Sequence, residues 1–440
     1  MLLLMAVPNM SLRAATRIAE AALVEAPTPV PMNDARVTRS LDWLAANIDW
    51  VTQQHIRITE VPAPPFGERA RAQFLRRLLD GNGLKLRIDE VGNLIGERPG
   101  TDTRNVVILA AHLDTVFPAA TDVRVRRDPP LDAGRMPQRL LAPGITDNGV
   151  GLAALLATAR ALHEGRIRTK YTVVIAANVG EEGEGNLRGM RKLMETYKGR
   201  VRAVIALDGA SIEHVTTMGL GSRRFEVTVT GPGGHSWSDF GLPNPIHALS
   251  RAVARFVRVR IPEEPRTSFN VGEIEGGTSV NSIPASATIK VDMRSGATAE
   301  IDKLEAALRE AVAAGIEEEN SAARDRGMLR NGNGKLEAKF KIIGERPSGD
   351  LPEDSFLLDV VKSVDRALNL RSRPERSSTD ANIPLSQGVA AISIGAGGRG
   401  GGAHSLNEWY DPSGRELGLK RVFLMLLTAA GMEAASRPGP

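Results

Sequence analysis

Residues 105–114 read NVVILAAHLD. The apolar run Asn105–Ala111 predicts a strand buried on both faces, of the kind found in an α/β sheet covered by helices. His112 and Asp114 then fall where the strand leaves the sheet, the edge at which open α/β sheets place their ligands. Two further runs repeat the pattern. Residues 172–178 (TVVIAAN) are followed by Glu181 and Glu182, and residues 201–207 (VRAVIAL) by Asp208. A fourth run, Val389–Ile394, opens into the glycine-rich stretch 395–402, which leads to His404.

Helical periodicity fills the gaps: 37–51 with Ser40 near its start, 68–79, 149–163, 187–197, 354–368, and a last helix from a Ser413 cap to about 435. Strand and helix alternate, which argues for helices sandwiching a sheet. Near Gly219 the texture changes. The half-exposed alternation of 224–230 is followed by a helix (245–259), strands at 268–275 and 285–294, a long charged helix (299–323) and a final strand at 335–343. That order is β-α-β-β-α-β, the ferredoxin-like unit. The expected organisation is therefore an N-terminal tail (1–34), a main α/β domain formed by 35–218 and 347–440, and an inserted domain at 219–346.

A chain of 440 residues exceeds one typical core, which agrees with two domains. The net charge of +4 is spread without a basic stripe, so the sequence argues against a nucleic-acid partner. No stretch is long and apolar enough to span a bilayer, and the start lacks a secretory signal pattern; a cytoplasmic protein is the default expectation. The chain has no cysteine, which removes disulfides, thiolate metal sites and cysteine nucleophiles.

Taken singly, each polar feature at a strand end has an ordinary explanation. Asp147, before Gly149 and a helix, could be an N-cap; Glu181-Glu182 could be an exposed acidic turn. Adjacent acids repel unless a cation lies close, and one can ligate metal while its neighbour accepts a proton from water. Five such features on one rim of one sheet are hard to assign to surface decoration. Nitrogen and oxygen ligands without sulfur suit zinc, with cobalt or manganese as substitutes.

The set HLDT (112–115), TDNGVG (146–151), EEGEGNLRG (181–189), LDGA (207–210), GPGGHSW (231–237) and GAHSLNEWYD (402–411) resembles the co-catalytic zinc exopeptidases and deacylases. That family includes glutamate carboxypeptidase, aminoacylase, acetylornithine deacetylase, succinyl-diaminopimelate desuccinylase and peptidase T. The stretch 378–398 looks closest to peptidase T-like members. The resemblance implies a zinc-exopeptidase α/β/α sandwich with an inserted ferredoxin-like lid and dimerisation domain. It implies two zinc ions, with Asp147 bridging, His112 and Asp208 completing one site, and Glu182 and His404 the other. Asp114 would orient His112, and Glu181 would be the general base. A cis peptide would follow Asp147. In the lid, His235 would serve the oxyanion in the partner subunit's site of a homodimer, while Asn281, Arg294 and Arg346 would hold a substrate carboxylate. Asp380 would lie behind the ligands or on the substrate side.

These roles imply hydrolysis of an amide bond in a small peptide or N-acyl amino acid by metal-activated water. An N-acyl-amino-acid deacylase, an N-carbamoyl or allantoate-type amidohydrolase, and a non-catalytic metal- or peptide-binding protein remain as alternatives. His55, His163, His214 and His247 match no metal motif and read as structural or exposed.

Overall fold

The computed structural model describes residues 29–128, 139–329 and 334–433. Most of the expected tail, 1–28, lies outside them. Its end does not behave as a tail: Val30 and Met32 pack on the main core, and Asp34 accepts the Arg36 N–H at 2.8 Å to cap the first helix.

The chain opens with α1 (Ala35–Ala46), α2 (Ile48–Thr59) and α3 (Arg69–Leu79). One helix was expected over 37–51, but Asn47 (φ −117°, ψ 24°) separates two. Ser40 is not near-terminal; it is buried and donates its hydroxyl to the Ala161 carbonyl at 2.9 Å. Next come β1 (Lys85–Ile88), β2 (Leu94–Arg98), β3 (Asp102–His112), α4 (Val150–Glu164), β4 (Tyr171–Asn178), α5 (Arg188–Thr196), β5 (Val201–Leu207) and β6 (His214–Gly219).

The inserted unit follows as β7 (Gly221–Thr230), α6 (Pro245–Phe256), β8 (Thr267–Gly276), β9 (Ser286–Ser295), α7 (Thr298–Asp325) and β10 (Glu337–Arg346). The chain then returns to the main unit through α8 (Phe356–Ala367), β11 (Arg373–Ser377), α9 (Asn382–Ser386), β12 (Ala391–Ile394) and α10 (Arg415–Ala430).

The large sheet runs β1-β2-β4-β3-β5-β12-β6, then the two-residue strand Gly349–Asp350, with β11 also paired to β6. Its centre (β4, β3, β5, β12) is parallel; β2 and β6 run antiparallel to it, and β1 pairs antiparallel with β2. Every residue of β4 is buried, which is why the central strands read as uninterrupted apolar runs. β6 and β11 escaped the sequence reading. β11 is Arg-Pro-Glu-Arg-Ser, polar and half-exposed, and its proline is tolerated because the strand has only one partner.

The inserted strands form a separate antiparallel sheet in the order β8-β9-β7-β10. Phe225, Val227, Val229, Ile289, Val291 and Met293 face α6 and α7 and make a second core. Strict alternation on β9 leaves its other face polar, so the four-stranded sheet is covered by helices on one side. This is the expected βαββαβ arrangement.

The last helix departs from expectation at both ends. Gly414 (φ +83°) is its N-cap, while Ser413 turns its hydroxyl to Asp411 at 2.7 Å. It stops at Ala430 rather than about 435. Gly431 lies in the left-handed region (φ +66°), and Met432 bridges to Thr169.

Candidate metal centre and active site

The parallel register aligns the strand ends. His112 stands opposite Asn178, Ala111 opposite Leu207, and Leu207 opposite Ile394. The residues just beyond these ends therefore emerge on one edge: Glu181 and Glu182 after β4, Asp208 after β5, and the glycine-rich loop after β12. Asp147 joins them from the turn before α4, and His404 (φ +64°) from the end of the glycine-rich loop.

One Asp147 carboxylate oxygen lies 3.0 Å from His112 Nε2, and the other lies 3.0 Å from His404 Nε2. Asp208 Oδ1 is 3.9 Å from His112 Nε2, and Glu182 Oε1 is 3.1 Å from His404 Nε2. The five side chains singled out in the sequence thus form one cluster with Asp147 between two pairs. The peptide bond Asp147–Asn148 is cis, as the resemblance implied.

The donor set fits divalent cations. His112 Nε2 and Asp147 Oδ1 are buried and face each other without a hydrogen-bond partner. One ligand atom each from His112, Asp147 and Glu182 can lie within 4.8 Å of one another. The carboxylates also show the field that a cation would meet. The hydrogen bonds to Asp147 and Glu182 raise His404 to a pKa of about 10. Burial opposes the charged form of His112, but Asp114, Asp147 and Asp208 outweigh it and raise its pKa well above the usual histidine value. Nitrogen, oxygen and no sulfur is the chemistry of zinc, cobalt or manganese sites.

Asp114 meets both His112 and the turn that follows β4. His112 Nδ1 lies 3.1 Å from the Asp114 main-chain carbonyl and 3.7 Å from its carboxylate. The carboxylate also accepts the N–H groups of Glu181 (3.0 Å) and Glu182 (2.7 Å). These bonds fix the turn carrying both glutamates, so one residue orients the ring through its backbone and that turn through its side chain.

Glu181 is buried, and burial raises its pKa well above the ordinary carboxylate value. Arg346 opposes this. Its guanidinium donates to the Glu181 carboxylate at 2.9 Å, to the Glu181 main-chain oxygen, and to the Ser378 hydroxyl at 3.1 Å. In this structure Arg346 is therefore committed to Glu181 rather than open to a substrate carboxylate. Asp380 lies behind the cluster, bonded by the Asn178 amide at 2.8 Å, with its pKa raised by burial to about 6.

The remaining sequence candidates lie apart. His235 and Asn281 lie at an exposed two-stranded ladder of the inserted unit, where Ser236 N–H donates to the Asn281 carbonyl at 3.0 Å, and among the described residues neither side chain bonds to the five ligands. Arg294 donates to Asp292 at 2.8 Å. Arg294, Ser222 and Arg346 stand in register across β9, β7 and β10, so both arginines belong to the polar face of the small sheet.

Several supporting residues were not singled out. Glu408 is fully buried and accepts the N–H groups of Gly144, Thr146 and Asp147 at 2.8, 2.7 and 2.8 Å. Burial outweighs these donors and raises its pKa to about 7. The motif containing it had been noted, but adjacency to a histidine gave no sign that it grips the Asp147 turn. His55 is structural, as read, and fully buried: its Nε2 donates to the Ile145 carbonyl at 2.5 Å, while Nδ1 accepts from Arg415 at 2.5 Å. Arg415 also donates to Tyr410, whose hydroxyl donates to the Gly397 carbonyl. The turn before Asp147 and the loop leading to His404 are thereby tied to one buried network.

A profile of Peptidase family M20/M25/M40 matches residues 108–428, which includes all five clustered ligands. The chain belongs to this family. Among its relatives, carboxypeptidase G2 of Pseudomonas sp. (strain RS-16) is 27% identical over 210 residues, covering 46% of this chain and 47% of that protein. The chain thus aligns with about half the length of that relative. The fold is shared with aminopeptidase PepT from Bacillus cereus ATCC 10987, with a TM-score of 0.67, 18% identity, and coverage of 88% of this chain and 99% of that one. It is also shared with the Bacillus subtilis YXEP protein, a dinuclear metal-binding peptidase of the M20 family. That comparison has a TM-score of 0.61, 16% identity, and coverage of 87% of this chain and 98% of that one. The peptidase T-like resemblance and the α/β fold with an inserted unit agree with these findings. No described helix is long and apolar enough to cross a membrane.

Proposed function

We propose that this M20-family chain is a two-zinc amidohydrolase that cleaves the amide bond of a di- or tripeptide or an N-acyl amino acid. The observation that carries the reading is Asp147, whose two carboxylate oxygens each lie 3.0 Å from a different histidine, His112 and His404. In this reading Asp147 would be shared between the two ions, with His112 and Asp208 holding one and Glu182 and His404 the other. When bound, the metal pair would supply Lewis acidity and bring a water molecule's pKa toward neutrality.

The chain's own residues do the rest. Glu181, held by Arg346 and by the Asp114–backbone bonds, takes the proton from water and passes it to the leaving amine. Burial raises its pKa above the ordinary carboxylate value, the direction that lets a carboxylate hold a proton before passing it on. Asp114 keeps His112 and the Glu181-Glu182 turn in place. The catalytic unit is 35–218 with 347–440, and 219–346 is the lid. Exposure of His235 within one subunit fits a role in the partner's site of a homodimer, where it would stabilise the oxyanion. Arg294 and Asn281 would meet the substrate carboxylate when the lid closes, and Asp380 supports the centre from behind. The protein would work in the cytoplasm.

The test is mass-spectrometric screening of zinc-, cobalt- and manganese-loaded protein against dipeptides, tripeptides and N-acyl amino acids, with metal content measured in parallel. Metal-dependent cleavage is expected, and Glu181→Gln should lower turnover by about 10²–10⁴-fold while retaining metal. A protein that holds two ions but cleaves none of these classes would refute the assignment.

A further inference from the structure

Beside the metal cluster, a cavity of about 290 Å³ extends from Asp208 along the sheet to Glu375. Its wall is polar where a sheet surface would ordinarily be apolar. Ser393 on β12 stands opposite Thr216 on β6, and Thr216 stands opposite Glu375 on β11, so the three side chains share one face. Ser393 and Thr216 are each 4% exposed. Ser377 and His214 also line the space, and among the described residues no lysine or arginine does.

Asp208 already belongs to the metal cluster, whereas nothing in the proposed reaction uses Glu375. Its carboxylate accepts the Thr216 hydroxyl at 3.2 Å, and among the described residues no lysine or arginine pairs with it. An apolar group in this space would strip water from buried hydroxyls without replacing its hydrogen bonds, and an anion would face two carboxylates. A cation would satisfy both the charge and the hydroxyl oxygens. The volume suits one long side chain rather than a second residue.

We infer that this cavity is the subsite for a cationic group of the substrate, an alkylammonium or guanidinium, with Glu375 as its counter-ion. The inference rests on the amidohydrolase reading, which places the scissile amide at the Asp208 end. The cation is either a lysine- or arginine-like side chain or a free α-amine; both offer the same N–H donors and charge.

Calorimetric titration of the full-length, zinc-loaded protein separates these cases. L-lysine amide against L-norleucine amide isolates a side-chain ammonium, and L-norleucine amide against hexanamide isolates the α-amine. In one of the two pairs the cationic member should bind about ten- to a hundredfold more tightly, as expected for a charge-assisted hydrogen bond. Glu375→Gln should bring that ratio close to one, and Glu375→Arg should turn it against the cation; zinc content and thermal unfolding report whether each variant is folded. A ratio near one in both pairs for the wild type, or a ratio unchanged in folded Glu375→Gln, overturns the inference. The readout is binding, so it does not depend on hydrolysis. Peptide cleavage without a cation preference would remove the subsite and leave the hydrolase, whereas a Glu375-dependent preference in a protein that cleaves no amide would do the reverse.

Discussion

Glu408→Gln should loosen the metal centre without touching a ligand. In the wild type, one carboxylate oxygen of Glu408 accepts the N–H groups of Thr146 and Asp147, and the other accepts that of Gly144. A glutamine that keeps its oxygen toward Thr146 and Asp147 must point its NH₂ at the Gly144 N–H, donor against donor. One hydrogen bond is lost inside a fully buried site, and the other two change from charge-assisted to neutral. A stranded buried donor costs about 1–3 kcal/mol, and bonds to a charged acceptor are each worth more than neutral ones. The expected loss of folding stability is therefore about 2–4 kcal/mol. Because the Asp147 turn itself is released, zinc affinity should fall about 10–100-fold, the usual penalty for removing a group that orients a ligand. Urea unfolding of the zinc-loaded protein at a pH above about 8, where Glu408 with its pKa of about 7 is ionised, reads the first quantity, and competition with a chromophoric chelator at the same pH reads the second. A Glu408→Gln protein as stable as the wild type and with the same zinc affinity would show that the three N–H bonds do not hold the bridging aspartate.

Other consequences can be measured in the same way. Arg421 and Asp365 form a buried bidentate pair at 2.7 and 3.1 Å joining α10 to α8; Arg421→Ala should cost about 3–5 kcal/mol by leaving buried Asp365 charged with no cation beside it, the Ser372 hydroxyl still donating to it, seen as a lower urea midpoint. Burial first, and then Arg415, depress the pKa of His55 well below 6.5. The unfolded chain therefore takes up a proton that the folded chain refuses, and stability falls as pH drops below 6.5, by about 1.4 kcal/mol per pH unit until the folded pKa is reached. The difference between wild type and His55→Gln in urea unfolding between pH 7 and 5.5 isolates this contribution. Removal of metal by a chelator should lower the melting temperature. At free zinc 100-fold above Kd the bound ion contributes about 2.7 kcal/mol, and re-addition should restore it.

Features that depend on one repeating local rule were legible in the sequence. β3, β4 and β5 were readable because a strand covered on both faces needs apolar residues at every position; His112, Glu182 and Asp208 were visible because each lies at or just beyond the end of such a run, whereas Asp147 and His404 stood out through their motifs. The βαββαβ unit announced itself by alternation, since one face of its sheet has no helical cover. Features that depend on three-dimensional meetings were not legible. The break at Asn47 follows from the packing of two helices, not from a proline or glycine. Ser40 looks like a cap until α4 is seen against it. Asp114 is two residues from His112, which suggests the carboxylate–imidazole contact, but not that the same carboxylate also takes the N–H groups of Glu181 and Glu182 beyond the end of β4. Arg346 looked available for a substrate because sequence cannot show that Glu181, 165 residues earlier, lies within hydrogen-bond reach.

The bond between Arg346 and Glu181 bears on how far the two units can be separated. β10 is the last strand of the inserted sheet, and its final residue supplies the counter-charge of a buried carboxylate in the main unit. A shortened protein made by splicing residue 218 to residue 347 would retain all five clustered ligands, yet Glu181 would lose the guanidinium that donates to its carboxylate. Such a minimal version should favour protonated Glu181 and make a poor acceptor for a proton from water. In this fold, the insertion is part of the proton chemistry as well as of the cover over it.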